Sequence, residues 1–278
     1  DHAKTESMSV SFKEILDFST NYAEPAVSGI ADTGAAGGTG ITGSNAAQAG
    51  QISTTGFSSV MHNIIGQSLL ALKTQAAVDE AIKAFKKDGT KPVIALANTM
   101  GSFSQQYAEH NGLKPGDGMG LQFNDLLFNY LDKTRWYIEK PPYSNVPGIR
   151  HYITDAQLGP EGVREYNRIK QFIYDLNLEG IPVSPVDYAM QKLRDAGLRV
   201  EEITGRDSRI EYRPDGTQRY RKRPAKDRSI AGKLKIISDF NEDRTDALVI
   251  NQSGATGLSL HALPKWEGHD PAARKMVL

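Results

Sequence analysis

Residues 246–262 read Asp246-Ala-Leu-Val-Ile-Asn251-Gln-Ser253-Gly254-Ala-Thr256-Gly257-Leu-Ser-Leu-His-Ala262. The apolar run 247–250 is long enough for a buried strand and too short for a helix. A polar turn, 251–254, follows it, and Thr256-Gly257 leads on to Leu258 and Leu260. A strand that empties into a Gly-rich, hydroxyl-bearing turn presents backbone N–H groups at the carboxyl edge of a sheet. Phosphate oxygens and the ligands of open α/β sheets bind at that edge. The plainer reading of the same pattern is a tight strand-to-helix turn with Gly there for packing.

Outward from this stretch the chain alternates between strand and helix. Ile230, Leu234, Ile237 and Phe240 mark a short amphipathic helix just upstream, and residues 198–203 read as a strand closing on Thr204-Gly205-Arg206. Ser184 is a good N-cap with Pro185 at the first helical position, and Val186, Met190 and Leu193 are that helix's buried face. Residues 57–87 carry the strongest helical periodicity, followed by the strand 93–97 and the turn Asn98-Thr99-Met100-Gly101. Residues 275–278 open a further strand. Helix, strand and polar turn in repetition predict an α/β fold with a parallel sheet flanked by helices.

The remaining segments fit this frame less directly. Residues 101–180 read as a mainly helical insertion, with helices over 121–131 and from Pro160 to Gly180 and irregular chain at 112–120 and 141–148. Near the start, Met8, Val10 and Phe12 alternate with serines, the pattern of a short strand. Residues 32–56 hold seven glycines and one charge, Asp32, so they read as a flexible linker that buries too little to offset its ordering entropy. The linker contains Gly38-Thr-Gly40-Ile-Thr-Gly43, which matches a dinucleotide-binding pattern. It lacks the flanking strand and helix that give the pattern meaning, and Ser44 stands where a P-loop needs Lys. The organisation expected is therefore an N-terminal segment and linker, 1–56, and an α/β lobe, 57–278.

Residues 206–228 form the one basic stretch, nine basic residues against four acidic, a local charge of +5. Ile210-Glu-Tyr212-Arg and Gln218-Arg-Tyr220-Arg flank Pro214-Asp-Gly216-Thr, a β-hairpin turning at Asp-Gly. Its arginines, with Arg219, Arg221 and Arg223 foremost, suit phosphates, and Tyr212 and Tyr220 could stack on bases. An exposed hairpin with ordinary charged faces is the competing reading.

Bulk properties exclude several classes. Charge is balanced at 33 basic and 33 acidic residues, so any basic surface is local. With no cysteine there is no disulfide, thiolate zinc site or cysteine nucleophile, and a reducing compartment fits. The longest apolar runs are too short to span a bilayer, no secretory signal opens the chain, and no membrane partner is expected. The six histidines show no metal-binding spacing, and no catalytic residue is assigned. Asp79-Glu80 lies inside a helix and reads as a solvated face. The first residue is Asp rather than Met, so the chain is expected to be a piece of something longer.

Ser253-Gly-Ala-Thr-Gly-Leu-Ser-Leu260 resembles motif V of superfamily 2 helicases and translocases, and Lys91-Pro-Val-Ile-Ala-Leu-Ala-Asn-Thr-Met100 resembles motif IV. Ile181-Pro-Val-Ser-Pro-Val-Asp-Tyr188, Glu202-Ile-Thr-Gly-Arg206 and Asp239-Phe-Asn241 are similar to the strawberry notch helicase family, over about residues 57–278. The resemblance implies the second RecA-like lobe of a nucleic-acid-dependent ATPase, acting on DNA before RNA. It implies nucleic-acid contacts from Ser253, Gly254 and Thr256, sensing of nucleotide state through Gly257, and a nucleic-acid path flanked by Thr204, Gly205 and Arg206, with Asn98 and Thr99 on the same side. It also implies a cytoplasmic, bacterial or phage-encoded protein. The departures are the absence of a P-loop, of a strand ending in Asp-Glu and of an arginine motif after motif V. ATP and Mg2+ are therefore expected only in a parent protein, bound by an N-terminal P-loop lobe in the same or another chain, and this chain alone is expected not to hydrolyse ATP. The alternative is a stand-alone nucleic-acid-binding or scaffold module built on a degenerate lobe. A dinucleotide-dependent enzyme using residues 38–43 is a distant third.

Overall fold

The computed structural model describes residues 2–36, 51–54, 57–97, 99, 101–140, 147–251, 260 and 272–277. In chain order the elements are α1 (His2–Phe18), a π-helical turn (Ser19–Ala23), α2 (Glu24–Ala36), β1 (Gln51–Thr54), α3 (Phe57–Lys86), β2 (Lys91–Leu96), α4 (Gly101–His110) and α5 (Phe123–Lys133). They continue with β3 (Trp136–Lys140), β4 (Ile149–Tyr152), α6 (Asp155–Asp175), α7 (Pro185–Asp195), β5 (Val200–Ile203), β6 (Ser208–Tyr212) and β7 (Gln218–Lys222). The last four are α8 (Ala225–Arg228), α9 (Ile230–Asn241), β8 (Ala247–Asn251) and β9 (Arg274–Val277). They sort into two units, residues 1–68 with 123–179, and residues 69–122 with 180–278.

The second unit is built on a four-stranded sheet in the order β5-β8-β2-β9. Every pairing in it is parallel. Period-two alternation divides its side chains between two covered faces. Ile94, Leu96, Val200, Ala247 and Val249 pack with Val78 and Ala81 of α3 and with Val186, Ala189, Met190 and Leu193 of α7. Val93, Ile203, Leu248 and Ile250 pack on the other side against Ile236 and Phe240 of α9. Ser184 caps α7 by accepting from Asp187 N at 3.4 Å, and Gly197, at φ +90°, ends that turn of chain as only glycine readily does. The α/β class and the parallel sheet read from the sequence are present.

The amino edge of this sheet is closed by charge. Lys91 Nζ donates to Phe240 O and to Asp243 Oδ1 (2.9 Å). It sits 4.3 Å from the Phe240 ring centroid, with Arg274 at 4.9 Å from the same ring. Burial holds the Lys91 amine below its usual range, and Asp243 partly restores it. Arg199 clasps Asp246 through its Nε at 2.9 Å and its backbone N–H at 2.8 Å.

Helix α9 starts under a steric condition. Ser229 accepts from Gly232 N at 3.0 Å, and a Cβ built on Gly232 would lie 1.9 Å from the backbone oxygen of Lys226. Gly232→Ala must push α8 away from α9, and it is expected to cost about 1–3 kcal/mol. Urea unfolding of the two proteins checks this; equal midpoints would refute it.

The first unit departs from the sequence reading. Residues 8–12 are helical, and α1 buries Met8, Ser11, Ile15 and Phe18, whereas Val10 is 42% exposed. The three-and-four spacing carried on by Ile15 and Phe18 outweighs a short alternation that has no strand to pair with. Pro25 cannot donate an i→i−4 bond, and Glu24 N–H reaches Ser19 O five residues back, so a π turn joins α1 to α2. The expected linker is helix as far as Ala36 and strand at Gln51–Thr54. Residues 38–43 lie outside the described residues.

The described residues of 1–56 do not stand apart, because they share a unit with 123–179. The insertion is also smaller than 101–180, since α4 and the loop after it belong to the second unit. It contains two strands that the sequence reading did not foresee: β1, β3 and β4 form an antiparallel sheet. Asp132 joins it to the helices, accepting from Trp136 Nε1 (3.1 Å), Tyr152 OH (3.0 Å) and Tyr166 OH (3.1 Å).

Candidate nucleic-acid interface

Three strand ends meet at the carboxyl edge of the parallel sheet. Leu96 of β2 lies opposite Asn251 of β8, and Ile203 of β5 lies opposite Ile250. Leu96, Ile203 and Asn251 therefore end their strands at the same edge. Asn98, Ser253, Gly254, Thr256 and Gly257 lie outside the described residues. Helix α4 begins at the same edge, and a Cβ on Gly101 would lie 2.9 Å from Arg206 Cβ.

Thr204 and Arg206 do not point outward. Thr204 is buried; its hydroxyl donates to Glu202 and accepts from Arg223 NH1 at 3.1 Å. Arg206 is bidentate on both of its acids. Its NH1 and NH2 donate to the two oxygens of Asp187, each at 2.6 Å, and its Nε and NH2 donate to Glu202 at 2.6 and 2.7 Å. Asp187 also accepts from Ser184 Oγ (2.6 Å) and Ile210 N (2.7 Å). Arg223 completes the group, with NH1 3.3 Å from Glu202 and 3.1 Å from Arg206 O. Two guanidinium groups thus face two carboxylates away from water. Such a cluster survives only when its hydrogen bonds are complete.

The electrostatics follow from that packing. Burial works to raise the Glu202 carboxyl, but hydrogen bonding and charge from Arg206, with help from Arg223, hold it below the ordinary glutamate range. Burial opposes the Arg206 charge as well, and the charges of Asp187 and Glu202 overcome it. Burial pushes Arg223 down. Of the expected contact residues, Arg206 and Arg223 are engaged inside the protein, and Gly205 is exposed.

The basic hairpin is present, with β6 antiparallel to β7 and Gly216 at φ +81° in the turn. Its two faces differ. Ser208, Ile210 and Tyr220 are buried. Tyr212 accepts from Ser184 N at 3.1 Å and lies edge-on to Tyr188, with centroids 6.2 Å apart. Neither hairpin tyrosine is available to stack on a base, which corrects the sequence reading; alternation along each strand turns both inward. Opposite residues share a face, and the pairs Arg209↔Arg221 and Glu211↔Arg219 place these four side chains outward, with Arg213 two residues beyond Glu211. Arg209 and Arg213 were not singled out from the sequence, although the Asp-Gly turn fixes a register that puts them there.

No protein-family model, curated protein or solved structure matches the chain. Among the described residues no group of three His, Asp or Glu side chains is placed to hold a metal ion, and no helix is long and apolar enough to cross a membrane.

Proposed function

We propose that the chain is the second RecA-like motor lobe of a nucleic-acid-dependent ATPase, acting on DNA. The observation that carries the reading is the convergence of β2, β5 and β8 at one carboxyl edge, with a basic hairpin rooted in the buried cluster behind Thr204. Ligands of parallel α/β sheets bind at such an edge. The resemblance of residues 91–100, 181–188, 202–206 and 253–260 to the strawberry notch helicases supports the same reading. ATP and Mg2+ belong in this proposal to a partner P-loop lobe. Arg206 is not free for a phosphate, since it already gives four hydrogen bonds to Asp187 and Glu202.

The stand-alone binding module is the second reading, and the saturation of Arg206 favours it. The experiment measures binding of labelled single- and double-stranded DNA between 50 and 200 mM salt, together with phosphate release from ATP. The expected result is salt-dependent binding without turnover, and nucleic-acid-stimulated turnover once a P-loop lobe is added. A chain that binds no nucleic acid at 50 mM salt refutes both readings; binding with no turnover on adding that lobe leaves the module.

A further inference from the structure

Four guanidinium groups and one carboxylate lie on the outward face of β6 and β7. Glu211 is bound to Arg221 Nε at 2.6 Å and lies 4.0 Å from Arg213 Nε. Arg213 Nε is itself buried and, among the described residues, has no hydrogen-bond partner. Arg219 NH1 reaches only a backbone oxygen, that of Gly116, at 3.4 Å. Arg209 is exposed, and among the described residues it has no ion-paired acid. Asp215, at the turn, is occupied by Thr217 N (2.9 Å) and Thr217 Oγ1 (2.6 Å). The face therefore carries an unbalanced charge of three.

The same face is braced by hydrogen bonds along its edge and at its root. Residues 116–119 run beside β7, with an isolated antiparallel bridge from Gly118 to Arg219 and hydrogen bonds from Gly116 N to Tyr220 O and Met119 N to Gln218 O, each at 2.8 Å. At the root, Asp187 holds Ile210 N, and Arg223 N donates to Asp207 O at 2.8 Å. Same-face side chains on a strand recur about every 7 Å, so the arginines form a row rather than a point. No aromatic side chain of the two strands lies among them, since Tyr212 and Tyr220 face inward.

We propose that this face is a docking strip for a phosphodiester backbone, that it reads no bases, and that Glu211 limits its affinity. The proposal rests on the nucleic-acid reading above. Arginines in a row neutralise successive phosphates and release counterions, a sequence-independent mode of binding. Base selectivity would need aromatic platforms or hydrogen bonds to base edges, and the strip presents only guanidinium groups and one carboxylate. Glu211 offsets one positive charge, so its removal frees one more guanidinium, that of Arg221, for phosphate.

Three proteins test the strip: the wild-type chain, Glu211→Gln, and the double variant Arg209→Glu/Arg221→Glu. Each is titrated by fluorescence anisotropy against labelled homopolymer and mixed-sequence DNA, single- and double-stranded, from 50 to 200 mM salt. At 0.1 M salt Glu211→Gln is expected to bind about eightfold more tightly on duplex, steepening the salt slope by about 0.9, or about fivefold more tightly on single strands, steepening it by about 0.7, the effect of one further phosphate contact. The double variant is expected to bind on the order of 60-fold more weakly on duplex and to flatten the slope by about 1.8. The slopes show which polymer the strip holds, and base composition is expected to change affinity less than about threefold. Unchanged or weaker binding by Glu211→Gln, or an unaltered slope in the double variant, overturns the strip while leaving the broader reading in place. A wild-type chain that binds no DNA overturns both.

Discussion

Asp187→Ala is expected to destabilise the protein by about 3–5 kcal/mol, the usual cost of removing one partner from a buried ion pair. Three donors lose their acceptor at once: the Arg206 guanidinium, Ser184 Oγ and Ile210 N. Water cannot replace the carboxylate easily, because Arg206 and Asp187 side chains are only 4% and 5% exposed. The measurement is equilibrium unfolding in urea, and a loss below about 1 kcal/mol would show that the cluster relaxes around the gap. Asp187→Leu combined with Arg206→Met should recover only part of the loss, since the pair is replaced by apolar residues but Ser184 Oγ and Ile210 N stay without that acceptor and Glu202 loses two hydrogen bonds. Glu202 keeps Arg223 in that double variant.

The cluster also sets a pH response. Glu202 is held below its ordinary value of 4.5, so its protonation is favoured in the unfolded chain. The stability it contributes is fully present above that value and is lost as pH falls through the lower folded value. Glu202→Gln should therefore unfold with a weaker acid dependence in this window than the wild type. Identical acid profiles would remove Glu202 from the account.

Phe240→Ala is the second large effect, again about 3–5 kcal/mol. Phe240 is fully buried under Val93, Ile203, Leu248 and Ile250, so its loss opens a cavity against the centre of the sheet. It also removes the ring beneath two cations, Lys91 and Arg274. The Lys91 amine is already penalised by burial, and without the ring it keeps Asp243, the backbone oxygen of residue 240 and the more distant charge of Asp246. Phe240→Leu keeps most of the volume and should cost less than about 1.5 kcal/mol. If the alanine and leucine variants unfold at the same urea concentration, the packing account is wrong.

The parallel unit was legible because its signals are local and agree with one another. Ala247–Asn251 is apolar and bounded by polar turns, Ser184-Pro185 announces a helix, and Asp215-Gly216 announces a hairpin. The first unit was not legible, for two physical reasons. Its sheet joins residues 51–54 to 136–152, a pairing that no local pattern encodes. Its first helix presents two periods over five residues, and only the burial of Ile15 and Phe18 decides between them. The candidate site was legible as a set of residue types but not in its direction. Arg206, Arg219, Arg221 and Arg223 look alike in sequence, yet acids at 187 and 202 draw two of them inside. Spacing along a chain does not reveal a partner nineteen residues upstream.

The four-membered charge cluster has an evolutionary consequence. Asp187, Glu202, Arg206 and Arg223 satisfy one another so completely that no member can be exchanged alone without orphaning another. A lineage could drift away from this arrangement only by paired steps, and descendants are expected to keep the quartet whole or to carry greasy substitutes at both ends of a former bond. Sequencing relatives would reveal that correlated inheritance.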